Sequence, residues 1–250
     1  LVEGQEFPAS ASRCEQLLFL LRYAILAPSS HNAQPWHFFV FDDRIEIGVD
    51  RSRALPVADP DDRLLRLALG AALEYIIIAG KHFGISLNPI INMHPTDQCM
   101  AIAQVSPAKV HNEDEELFAY IPHRHVDRAG FVSELIPHDA VQRLERSVLP
   151  GMYGELVQGD LKNTLATLYL DARDEVMEPA RLRREMAKFK KTNITRSKVG
   201  MPGFTMGFST LASFFVPTVL KHINVAKMAR KEEENIMYHG TPALMVLGVD

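Results

Sequence analysis

Residues 63–85 read RLLRLALGAALEYIIIAGKHFGI, a helical stretch that is apolar almost all round. A helix without a polar face has to be enclosed, because any side left open keeps apolar area in water. The chain must therefore supply further layers around it, and this helix is expected to be central and buried. Asp61 or Asp62 stands where its cap is wanted.

The flanking sequence offers both helices and strands. Residues 12–27 predict a helix, with Ser12 and Glu15 as a capping box and Leu17, Leu18, Leu21, Ala24 and Ile25 at helical spacing. Pro28 ends it. WHFFVF then reads as a strand, Asp42-Asp43 as a turn, and RIEIGV as the returning strand of a hairpin. Residues 50–62 form a polar loop before the apolar helix, and SLNPIINMHP and MAIAQVS give two more strands. HNEDEE at 111–116 is a charged boundary, after which the pattern restarts from Leu117. A helix, the basic loop PHRHVDRAGF, the helix IPHDAVQRLERSVL, the strand YGELVQG and long helices to about residue 195 follow. SKVGMPGFTMGFSTLASFFVP, rich in Gly, Pro, Phe and Met, reads as an irregular apolar loop or lid. Near the C-terminus, Ala243–Val249 reads as a buried strand bounded by Gly240-Thr241-Pro242. Either it adds to a sheet edge or the sequence is the front part of a longer protein; the second is the expectation adopted. Leu1 is not an initiator Met, which leaves room for a preceding leader.

Composition bounds the chemistry. At 250 residues and 47% hydrophobic, the chain can bury one large core or two small ones. A net charge of -4 argues against a nucleic-acid or anionic-membrane partner. Cys14 and Cys99 form no CxxC, so neither a disulfide framework nor a structural zinc site is expected, and a reducing, cytoplasmic setting is the default. Stretches such as LLFLLRYAILA are too short and too interrupted by charge to span a bilayer. GxGxxG, GxxxxGK[ST], HExxH and GxSxG are all absent.

Two loops could carry chemistry. APSSHNAQPW places two serines, a His, an Asn and a Gln ahead of the only Trp. Ser29 or Ser30 could simply cap a turn, Asn32 could make an Asx-turn and Trp36 could be plain core. Alternatively, these side chains form a polar rim that hydrogen-bonds the edge of a flat heteroaromatic ring. In the second loop, PHRHVDRAGF, Arg124, His125 and Arg128 are the best holders of a phosphate, and a solvated basic turn is the plainer alternative. His31 and His37 are read as structural rather than catalytic.

LAPSSHNAQPWHFFV closely resembles the signature of the FMN-dependent nitroreductase family, and HRHVDRAGF resembles that family's phosphate-binding motif. In ordinary members the basic motif comes first; here the order is reversed and the two lie about 90 residues apart. The resemblance is therefore to the tandem, Acg-like branch, which mimics the nitroreductase homodimer in one polypeptide. IEIGVDRSRALPVADPDDRLLRLALGAALEYIIIAG and RREMAKFKKTNITRSKVGMPG are similar to that branch too.

The resemblance implies an α+β, nitroreductase-like fold, with a mixed, mainly antiparallel sheet flanked by helices in two degenerate repeats. The first repeat would span 1–115. The second would start at 116–250, with a lid near 195–235 and its remainder beyond residue 250. Carried over, Arg124, His125 and Arg128 match phosphate and ribityl binders of FMN, with Val126 in place of a common Ser. Pro28, Ser29, Ser30, Asn32 and Gln34 match the loop that packs on the flavin ring. The implied function is an oxidoreductase passing electrons from NAD(P)H through FMN to a nitroaromatic, quinone or similar acceptor, as a monomer mimicking a dimer. An FMN storage protein with little turnover is the alternative, and a non-flavin α+β binding module is a third reading.

Overall fold

A computed structural model describes residues 7–92, 99–108, 115–126, 134, 136–148 and 151–249. The chain is α+β, with a mainly antiparallel sheet and flanking helices. It divides into two units, Leu1–Val126 with Lys188–Phe214 and Asp127–Ala187 with Phe215–Asp250. The first unit keeps Arg124 and His125 and takes in a later segment. Among the described residues no helix is long and apolar enough to cross a membrane.

In the first unit, α1 (Arg13–Ala24) begins at the expected capping box, with Ser12 Oγ accepting from Glu15 N–H at 3.3 Å and Glu15 Oε2 accepting from Ser12 N–H at 3.0 Å. The hairpin β1 (Trp36–Val40) and β2 (Arg44–Val49) forms as read, in the register Trp36↔Val49 to Val40↔Ile45. β3 (Leu87–Ile91) and β4 (Cys99–Val105) complete a four-stranded sheet in the order β1-β2-β4-β3, every pair antiparallel. Leu17, Leu20 and Tyr23 of α1 pack with Leu69, Ala72 and Ile76 of α2 (Arg63–His82) and with Ile45, Ile47 and Ala103 of the sheet.

The enclosure of α2 is incomplete. Its C-terminal stretch Ile76–Gly80 is buried on every side, but Leu64 and Leu67 near its start are 43% and 69% exposed. Its cap also differs from the expectation. Asp62 holds a left-handed backbone (φ 56°) that turns its side chain away from the helix, toward Arg51 at 2.6 Å. Asp59, three residues earlier, supplies the cap instead, accepting from Leu64 and Leu65 N–H at 3.1 and 2.9 Å. α3 (Glu115–Tyr120) closes the unit's aromatic corner, where Phe118 stacks on His82 at 3.6 Å and meets Tyr23 at 4.9 Å.

In the second unit, α4 (His138–Arg146) precedes β5 (Met152–Val157), and α5 (Gly159–Met177) follows it. The expected C-terminal strand forms as β8 (Leu244–Val249) and pairs antiparallel with β5. Tyr153 faces Gly248 across this ladder so closely that a Cβ on Gly248 would lie 2.0 Å from the ring. α8 (Ala226–Tyr238) packs on α5 through Arg230, which pairs with Asp171, Asp174 and Glu234 at 2.6–2.8 Å. Lys162 of α5 is buried, and its ammonium donates to the carbonyls of Met237, Tyr238 and Thr241 at 3.2, 2.9 and 3.0 Å.

Two of the three unit boundaries fall within α6 (Ala180–Phe189) and α7 (Thr210–His222), between which lie the two-residue strands β6 (Lys190–Lys191) and β7 (Met201–Pro202). Thr210–His222 corrects the reading of an irregular segment as far as Pro217. The dense Gly, Pro and Phe content masked the helical run TLASFF, and the helix continues through Pro217 despite its missing N–H.

Candidate functional site

The polar loop after α1 is built from an unusual backbone. Ser29 is extended, Ser30–Asn32 make one tight turn, and His31, Asn32 and Gln34 all have φ between 52° and 54°. A left-handed conformation costs a residue with a side chain about 1–2 kcal/mol, so three in four residues need compensation. Part comes from within the loop: Asn32 and Ala33 N–H donate to the carbonyls of Ser29 and Ser30, and Gln34 N–H donates to Ser29 Oγ at 3.0 Å.

The rest comes from residues far along the chain. Asn32 Nδ2 donates to the carbonyls of Lys198 and Gly200, both at 2.9 Å, and Gly200 N–H returns a bond to Asn32 O at 2.9 Å. Gln34 Nε2 donates to Lys198 O at 2.6 Å and to Asn32 Oδ1 at 3.3 Å. The four bonds joining the two segments, at about 1 kcal/mol each, are of the size needed to offset the backbone strain. Both hydrogens of each amide group are thereby occupied by protein acceptors. Below the loop, Ala33, Leu55 and Phe189 form a small apolar cluster with Val199 against it. Trp36 is core, 6% exposed, in agreement with the plainer reading of that residue.

The hairpin holds the loop's other end. Arg53 Nη1 donates to Gln34 O at 3.2 Å, and its Nε pairs with Asp50 at 3.0 Å. Asp50 also accepts from the Ser52 hydroxyl and backbone N–H, and His37 lies 3.9 Å away. The Ser52 hydroxyl above all, with help from the Ser52 amide, His37 and Arg53, holds the Asp50 carboxyl below its ordinary range. His37 sits exposed beside it, while the His31 ring faces Phe189 at 6.1 Å.

The basic loop reaches the same neighbourhood. Phe118 anchors α3 on α1, and the chain leaves α3 by a turn in which Arg124 N–H donates to Tyr120 O at 2.8 Å. This carries the Arg124 guanidinium to 3.5 Å from Leu26 O, two residues before Pro28 and 98 positions away in sequence. Arg124 and His125 are exposed, and the His125 ring contacts His123 O at 3.0 Å. No described carboxylate pairs with Arg124. Arg128 lies outside the described residues. Ser30 donates to no described residue through its hydroxyl.

The donors left unclaimed, on Ser30 and Arg124, are of the kind that ring carbonyls and a phosphate of FMN accept. Those of Asn32 and Gln34 are spent on the protein itself. A shallow pocket beside Ser30, lined by Ala33, Pro35, Arg53, Leu55 and Asp59, encloses room for little more than a water molecule and is too small for a flavin. Sequence reading missed Arg53, Lys198 and Gly200. Only the glycine-rich GMPG gave any sign that the backbone does something particular there.

No protein-family profile matches the chain. Over about half its length, the chain is similar to curated proteins named as nitroreductases. It is 32% identical over 124 residues, 49% of this chain and 36% of the relative, to "Putative NAD(P)H nitroreductase Rv3131" of Mycobacterium tuberculosis. It is 32% identical over 113 residues, 44% and 34% of the two chains, to "Putative NAD(P)H nitroreductase acg" of the same species. With "Probable NAD(P)H nitroreductase PigM" of a Serratia species, it shares 37% identity over 70 residues, 27% and 20% of the two chains. The match spans little more than a third of the mycobacterial relatives' length.

Proposed function

We propose that this chain binds FMN and works as a nitroreductase-type oxidoreductase, taking electrons from NAD(P)H to a nitroaromatic, quinone or similar small acceptor. The observation that carries this reading is the approach of Arg124 to Leu26 O, at the head of the Pro28–Gln34 loop. The two motifs that resemble a flavin site in sequence thus meet within one unit of one chain. Such a meeting is what a tandem chain that imitates a dimer requires. The names of the relatives point the same way.

In this reading Arg124, with His125 and Arg128, holds the phosphate, each charged hydrogen bond contributing about 1.5–3 kcal/mol. Ser29 and Ser30 present hydroxyls to the ring, and Pro28 gives the loop a rigid entry. When bound, FMN supplies the redox chemistry, accepting hydride from NAD(P)H and passing electrons on. The protein's own task is to orient the ring and limit water, which needs no general acid or base.

The test is a visible spectrum of the purified full-length protein, followed by release of the cofactor. Flavin absorbance with one FMN per chain, and no FAD, is expected. Protein that is colourless and takes up no added FMN refutes the reading. Anaerobic mixing with NADPH then separates the two functions: bleaching supports a reductase, and a flavin that stays oxidised supports FMN storage.

A further inference from the structure

We propose that the Lys198–Gly200 segment is a latch: through Asn32 and Gln34 it holds the Pro28–Gln34 loop in the left-handed form that presents Ser29 and Ser30. This makes Asn32, Gln34 and Gly200 positioning residues. The inference rests on the flavin reading for its consequence, but the latch itself is a mechanical claim about two segments of the first unit.

Three observations carry it. The first is the asymmetry of the bonding. The loop's internal hydrogen bonds close one turn, whereas the amide groups of Asn32 and Gln34 both point away from that turn, to carbonyls 164–168 positions distant in sequence. The N–H donors of these side chains are thereby committed to the protein, so what those donors contribute to binding is indirect.

The second is Gly200. Its φ is +96°, and a Cβ there would lie 2.6 Å from Phe189 O and 2.8 Å from a carbon of Lys191. Only glycine lets the backbone pass this close to β6 while its N–H and C=O both face Asn32. The third is that the latch has its own mounting. Asn193 accepts from Phe204 N–H at 2.6 Å, donates to Phe208 O at 2.9 Å, and donates its N–H to Ser213 Oγ at 3.0 Å. These bonds brace the residues on either side of the segment, and β7, which starts right after Gly200, pairs with β6 through Met201↔Lys190, so the segment has supports other than the loop that it grips. A fixed strap bonded to a strained loop transmits its position to that loop.

Coupling between two segments is reciprocal, and this gives the test. Gly200→Ala should displace the latch, and in hydrogen exchange of the FMN-free, full-length protein the amides of 29–34 should exchange at least tenfold faster together with those of 198–200. β1 and β2 should keep wild-type exchange. Gln34→Leu, which removes one anchor without crowding the backbone, should speed exchange at 198–200 in return and decides the matter if Gly200→Ala does not fold. In FMN titration both variants should bind about tenfold more weakly, as a competent population reduced to about one tenth dictates, with Trp36 emission unchanged.

If 29–34 exchange at the wild-type rate once 198–200 are loosened, or 198–200 do so in Gln34→Leu, the latch is refuted whatever the flavin does. If the exchange is coupled but FMN affinity is unchanged, the positioning role is refuted. If no form of the protein takes up FMN, the flavin reading fails, and coupled or uncoupled exchange still decides the latch.

Discussion

Lys162 is a buried cation that, among the described residues, has no carboxylate partner. Its ammonium is satisfied by three carbonyls at the end of α8 and the turn into β8. Replacing it with Met keeps the length and apolar stem but removes three charge-assisted bonds, worth roughly 5–9 kcal/mol together at 1.5–3 each. The desolvation of the ammonium, several kcal/mol, disappears with it. The carbonyls left behind also lose a cation at the negative end of a helix, worth about 0.5–2 kcal/mol. The balance for Lys162→Met is a loss of about 2–4 kcal/mol. With a urea slope of about 1.5–2 kcal/mol/M, the midpoint should fall by about 1–2.7 M. Circular dichroism follows the transition, and hydrogen exchange localises it: amides of β8 and the last turn of α8 should be deprotected first. Trp36, the only tryptophan, sits in the core of the first unit and serves as an internal control at low urea. A loss below about 1 kcal/mol, or unchanged protection of β8, refutes the assignment of Lys162 as the clamp on that turn.

Other outcomes follow from single groups. Asp50 has its folded-state pKa depressed, chiefly by the Ser52 hydroxyl. Its contribution is therefore full above the unfolded value of about 3.9 and is lost as pH falls through the lower folded value. The stability difference between wild type and Asp50→Asn should be constant from pH 7 to 5 and shrink below about pH 4; a difference that grows with acid contradicts this. Arg124→Ala should weaken FMN binding about 10- to 100-fold, with Arg128→Ala less affected, from the loss of one or two charged bonds. Unchanged affinity in the double variant would make the basic loop a solvated turn.

What could be read in advance was what lies close in sequence. The Ser12–Glu15 box and the β1–β2 hairpin depend on residues a few positions apart, and both form as expected, whereas the first helix ends at Ala24, short of the stop expected at Pro28. The cap of α2 was misassigned because an aspartate's usefulness depends on its backbone; at φ 56° Asp62 cannot cap, and Asp59 can reach. α7 was hidden by its own composition. In the site, residue types alone gave the polar loop but not its partners. Nothing near Asn32 indicates that its amide is taken by Lys198 and Gly200, because those contacts exist only once the chain has folded.

The pairing of Tyr153 with Gly248 has a consequence for how this sequence can change over generations. The ring lies where any side chain at 248 would have to begin. A larger residue at 248 is admissible only if the exposed Tyr153 ring swings away or shrinks, and either change uncovers the bare backbone of β8. The two sites are therefore coupled, and a lineage that alters one shifts what is favoured at the other in this two-stranded ladder.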